Sequence, residues 1–105
     1  MANQPKFFLV VRFWIEPEAE ARLAQWLEGG HVAEVLRQPG FLWCRRVRLD
    51  GGGYAMIYGI ESRAAFEAYE ANTALKAKFA RERAPFEKHM RIERFSGEVE
   101  TTHAA

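Results

Sequence analysis

The segment Phe7–Ile15, FFLVVRFWI, constrains the fold more than any other stretch of the chain. Successive side chains of an extended chain point to opposite faces. Phe7, Leu9, Val11, Phe13 and Ile15 then form one wholly apolar face, and Phe8, Val10, Arg12 and Trp14 form the other, with a single charge in it. A strand apolar on both sides belongs in the middle of a sheet that is covered twice. Arg12 cuts the apolar run far short of a membrane span or a signal-peptide core, so no membrane partner is expected.

The remaining elements follow from punctuation. Pro17 suits the first position of a helix, with Glu18 and Glu20 at its positive end. Ala19, Leu23, Trp26 and Leu27 recur at helical spacing, and the helix is expected to run to Glu28. Gly29 is expected to end it in the left-handed region. Gly30-His31 then opens a short run, Val32–Leu36, which Pro39-Gly40 closes. Phe41–Leu49 and Tyr54–Ile60 read as strands around the Asp50–Gly53 turn. An even loop pairs Leu49 with Tyr54, Val47 with Met56, Arg45 with Tyr58 and Trp43 with Ile60; an odd loop slips that pairing. Ser62 is a good N-cap for a helix striped by Phe66, Tyr69, Leu75 and Phe79, with an irregularity at Asn72-Thr73. Pro85 closes that helix or opens a last turn. His89–Phe95 is the last strand, and residues 97–105 read as a C-terminal tail.

The order strand, helix, strand, strand, helix, strand is that of a ferredoxin-like α+β domain, here over residues 1–96. It predicts a four-stranded antiparallel sheet with both helices on one face. The other face of Phe7–Ile15 is then left bare. Three Trp and eight Phe in 105 residues also exceed what one thin core hides. A second copy of the chain is the simplest cover, so a homodimer is expected.

Several chemistries find no support. A net charge of +1 gives no footprint for nucleic acid. Arg45, Arg46 and Arg48 read as a solvated strand face. Cys44 stands alone, which forbids an internal disulfide, fits a reducing cytoplasm and suggests a small core residue. His31, His89 and His103 are too scattered for a metal site. Gly51–Gly53 joins two strands, where a phosphate loop would join a strand to a helix. No Ser-His-Asp or Cys-His motif is visible, and no cofactor is implied by the residues; a haem would have to use His31 or His89.

What remains is a small constellation around the Trp26–Phe41 segment. His31 sits at a helix break and can act as acid or base near neutrality, or simply cap the break. Arg12 and Trp14 share the less apolar face of the first strand, with Arg46 one strand further on. An arginine in an apolar lumen binds a carboxylate or enolate; the plainer alternative pairs Arg12 with Glu93. Trp43 and Tyr58 either shape a pocket or fill the core.

The W…H…EVL…GF pattern of Trp26–Phe41, the GGGYAMIYGIES stretch ending at Ser62 and the element order together resemble the dimeric α+β-barrel superfamily. Within it the chain is most similar to small uncharacterised proteins of the DUF4286 type. Neighbouring families are antibiotic-biosynthesis monooxygenases, EthD-like proteins, muconolactone-isomerase-like enzymes and haem-degrading monooxygenases. Several of these keep a histidine at the helix break, lining a cavity between helices and sheet, and His31 is the matching position. Fold does not fix chemistry in this superfamily, so the resemblance implies only that His31 lines a cavity. The residues leave open a cofactor-independent oxygenase or isomerase acting on a small aromatic or polyketide-like molecule, a non-catalytic binding or stress-response dimer, or a structural dimer with no ligand. In the enzymatic case His31 would be catalytic, and Arg12, Trp14, Trp43, Arg46 and Tyr58 would hold the substrate.

Overall fold

The computed structural model describes residues 4–105. Strand β1 (Phe7–Ile15) leads into helix α1 (Pro17–Trp26), a widened turn over Leu27–His31 and the short helix α2 (Val32–Leu36). The hairpin β2 (Phe41–Arg48) and β3 (Tyr54–Ile60) precedes α3 (Arg63–Glu70) and α4 (Thr73–Arg83), and a tight 3-10 segment, Ala84–His89, delivers the chain to β4 (Met90–Glu98). The strands lie in the order β2-β3-β1-β4, every neighbouring pair antiparallel. The helices cover one face, which is the ferredoxin-like α+β arrangement.

β1 is central, as its two apolar faces require. Phe7, Leu9 and Phe13 point into a core shared with Met56, Tyr58 and Ile60 of β3 and with Leu23, Val35, Tyr69 and Phe79 from the helical layer. Phe7 and Ile60 are fully enclosed. β4 pairs with the whole of β1, from Ile15↔Met90 to Phe7↔Glu98. The ladder therefore runs through Gly97 and Glu98, past the end expected at Phe95.

The hairpin register differs from the even-loop expectation. Arg48 pairs with Tyr54, Arg46 with Met56, Cys44 with Tyr58 and Trp43 with Gly59. The turn explains the shift. The Gly52 N–H donates to the Leu49 carbonyl at 3.0 Å, and the Leu49 N–H donates to the Gly53 carbonyl at 3.0 Å. Gly52 and Gly53 supply the positive φ values this needs, 103° and 80°. Leu49 thus belongs to the turn, an odd number of residues spans it, and the β2 side chains from Trp43 to Arg48 change face. Cys44, Arg46 and Arg48 join the helix side. Trp43, Arg45 and Val47 join the outer side, where the Trp43 ring lies on Gly59 so closely that a Cβ there would come within 2.6 Å of it. An irregularity between Phe41 and Trp43 returns Phe41 to the core.

The helix break is also built differently. Gly29 does not take a positive φ; Gly30 does, at φ 154° and ψ −24°. The chain widens into a π-like turn, in which the Val32 N–H donates to the Leu27 carbonyl. The second helical segment is split where the irregularity was expected. Ser62 accepts from the Ala65 N–H at 3.1 Å to start α3, and Asn72 accepts from the Leu75 N–H at 3.1 Å to start α4.

Candidate active site

The widened turn places His31 over a cavity of about 390 Å³ between the sheet and the helices. Leu9, Val11 and Met56 contribute its sheet wall, and Leu23, Trp26 and Phe79 contribute much of its helical wall. The size lies at the lower end of the range for small-molecule sites, roughly 300–1,000 Å³.

His31 is held by rings rather than by hydrogen bonds. Its imidazole stacks on the Trp26 indole at a centroid distance of 4.0 Å, and Phe79 meets it edge-on at 4.5 Å. Nδ1 is buried and has no hydrogen-bond partner among the described residues, so Nε2 is the ring nitrogen left for a ligand. Burial is the main reason its pKa falls from the ordinary 6.5 to about 4; Glu82 opposes the shift, and Arg83 and Arg94 add to it. The ring is therefore neutral at pH 7.

A polar clasp fixes this wall. The Trp26 indole N–H donates to Glu82 at 3.3 Å. Lys78 donates to both carboxylate oxygens of Glu34, at 2.6 and 2.8 Å, and lies 3.8 Å from Glu82. Helices α1, α2 and α4 are thereby tied together around His31.

Tyr58 reaches the same cavity from β3. It faces Cys44, its cross-strand partner, and burial raises the pKa of both, the thiol to about 11. Cys44 is thus a protonated, half-buried packing group and no nucleophile. Tyr69 is likewise pushed up by burial, with the positive charge of Arg94 pulling the other way.

Of the residues singled out from sequence, the structure brings His31 and Tyr58 together on one cavity. Arg46 lies on the same side of the sheet but is engaged with Glu28 at 3.1 Å and lines a separate, more open groove. Arg12, Trp14 and Trp43 stand on the opposite face of the sheet. There the Trp14 ring lies between Arg12 and Arg91, at 4.5 and 3.9 Å, and Arg45 covers Trp43 at 4.1 Å. Arg12 is cross-strand to Glu93, and its buried Nε has no hydrogen-bond partner among the described residues. Sequence reasoning missed Trp26 and the cations Lys76, Arg83 and Arg94 on the cavity wall. The signal for Arg94 was present in the alternation Met90, Ile92, Arg94, which shares a face with Val11 once β4 is paired to β1.

One group of side chains able to ligate a metal exists among the described residues: Glu16, Glu18 and His89, whose ligand atoms all lie within 4.8 Å of one another. It lies outside the residues that line the cavity, with both glutamates exposed, and His89 Nδ1 sits 2.7 Å from Glu16. Among the described residues no helix is long and apolar enough to cross a membrane.

Residues 6–81 match the sequence profile of a family described as antibiotic biosynthesis monooxygenase. No curated protein matches the chain. Among solved structures, the haem-degrader MhuD from Mycobacterium tuberculosis, with two haems bound in its active site, is similar at a TM-score of 0.69 and 21% identity, over 93% of this chain and 99% of that one. A crystal structure described as an antibiotic biosynthesis monooxygenase has a TM-score of 0.63 at 18% identity, over 92% and 99% of the two chains. The ActVA-Orf6 monooxygenase of Streptomyces coelicolor, solved with nanaomycin D, has a TM-score of 0.58 at 19% identity, over 95% and 94%. At these identities the likeness is one of fold.

Proposed function

The chain belongs to the antibiotic biosynthesis monooxygenase family, and from that premise we propose that it oxygenates a small phenolic or polyketide-like ring bound in the His31 cavity, without a resident cofactor. The observation that carries this reading is the convergence on one largely apolar cavity of a neutral imidazole, a buried phenol and two guanidinium groups. Apolar walls take the ring; the few polar groups orient it.

The chemistry asks for a substrate whose ring can be made electron-rich. His31 accepts the proton of a ring hydroxyl at Nε2. Arg83 and Arg94 stabilise the resulting phenolate, which offsets the weak basicity of the buried imidazole. The electron-rich ring reduces dioxygen: one oxygen atom replaces a ring C–H as a carbonyl, and the other leaves as water. Tyr58 is protonated throughout and can donate a hydrogen bond to the substrate. Haem is the ligand of the mycobacterial neighbour. On this cavity the one histidine, His31, is stacked on Trp26 with its Nδ1 buried, and the proposed chemistry uses the chain's own residues.

The test is oxygen consumption with a panel of naphthols. Turnover should yield the quinone and water, and His31→Leu should slow it about a hundredfold or more, the usual weight of a proton acceptor. Quinone formation no faster than in buffer would remove the enzymatic reading. The runner-up is binding without turnover in the same cavity.

We propose further that a second copy of the chain covers the outer sheet face. Phe8, Val10, Trp14, Trp43 and Ile57 stand there with no helix over them, and Phe95 is 54% exposed. An apolar patch of this kind, left without a helix, supports an interface with a second copy.

A further inference from the structure

Charges on the cavity wall are unequal. Lys76, Arg83 and Arg94 line it, against the single carboxylate of Glu87. Two of the cations come from α4, and the third comes from β4. Lys76 and Arg94 share one carboxylate oxygen of Glu70, the first at 2.6 Å and the second only loosely, at 3.8 Å. Arg83 makes no ion pair among the described residues. The sheet wall beside Arg94 is hydrocarbon over Leu9, Val11 and Met56.

We infer that Lys76, Arg83 and Arg94 form an anion subsite, and that the ligand of this cavity is an amphipathic organic anion: a planar aromatic body carrying an acidic group at the α4–β4 end. The inference rests on the cavity being the functional site and adds the substrate's charge to that reading. Three cations with so few carboxylates repel one another, and an entering acid relieves the repulsion. The guanidinium groups can grip it by paired hydrogen bonds, which shelter from water makes stronger. Arg94 also acts electrostatically on His31, Tyr58 and Tyr69, so it stands within reach of the whole cavity.

Two matched fluorescent probes test this. 8-Anilinonaphthalene-1-sulfonate carries an acidic group, and N-phenyl-1-naphthylamine is the same ring system without it. The sulfonate should bind about tenfold more tightly than the neutral amine, with an affinity that falls as salt rises. Arg83→Gln with Arg94→Gln should remove that advantage and leave the neutral probe's affinity unchanged, in a protein whose circular dichroism and melting are those of the parent. Arg91→Gln, on the other side of the sheet, should change neither. Equal binding of the two probes to the parent, or a sulfonate advantage that survives the double substitution or is lost with Arg91, overturns the anion subsite while leaving the cavity reading in place. Failure of both probes to bind overturns the cavity reading as well.

Discussion

The imidazole of His31 lies on the indole of Trp26, ring centroids 4.0 Å apart and planes 19° from parallel. Each ring covers a face of the other, Phe79 closes the edge, and Glu82 anchors the indole through its N–H. The result is a neutral, desolvated histidine in a cavity wall. It contributes packing as well as chemistry.

That desolvation predicts a pH dependence of stability. The folded chain holds the His31 pKa at about 4, and the unfolded chain returns it to 6.5. Below pH 6.5 the unfolded state therefore binds a proton that the folded state refuses. Stability falls as pH drops from about 6.5 to about 4, by at most about 2–3 kcal/mol given the ring's partial exposure. Thermal melts across that window should show the decline, and His31→Leu should flatten it. An unchanged slope in the variant would mean that other groups carry the effect.

The break beside His31 separates its two glycines. Gly30 sits at φ 154°, whereas Gly29 has an ordinary helical-side backbone and open space where a Cβ would stand. Gly29→Ala should stabilise the fold by about 0.5–1 kcal/mol through a less flexible unfolded chain. Gly30→Ala should cost about 1–3 kcal/mol from backbone strain. Denaturant titrations of the two variants check the order; the reverse order would place the break one residue earlier.

Much of this fold was legible because β1 reads the same way from either side. Its two apolar faces placed it centrally, Ser62 and Pro17 marked helix starts where the structure has them, and Asn72-Thr73 marked the irregularity at which the second helix splits. Residues of the site were harder to read. The face of the β2 side chains from Trp43 to Arg48 hung on whether Leu49 belongs to the strand or to the turn, and only the turn's hydrogen bonds decide that. With the register shifted, Trp43 left the helix side and Arg46 joined it, to meet Glu28. Arg12 and Trp14 were correctly placed together but on the face away from His31. Arg83 and Arg94 lie far from His31 in sequence, and no local pattern ties them to it. The resemblance placed DUF4286-type proteins first and named the antibiotic biosynthesis monooxygenases only as neighbours; the family profile matches that neighbour.

The bare outer face predicts association. Sedimentation at micromolar concentration should give a dimer, and Val10→Asp, in the middle of that face, should give a folded monomer. Charge at an apolar interface centre is costly to bury. A parent protein that sediments as a compact monomer would contradict the proposed dimer.

The proposed ligand chemistry lies on the helix side of the sheet. The chain's three tryptophans report on it directly, because Trp26 lines the cavity while Trp14 and Trp43 stand on the far face. The indole N–H resonances of the ¹⁵N-labelled protein, followed during titration with 1-naphthol, separate the two sides. The account predicts a saturable shift of the Trp26 signal that is lost in His31→Leu, with Trp14 and Trp43 unmoved. Shifts of Trp14 or Trp43 with Trp26 stationary would contradict it.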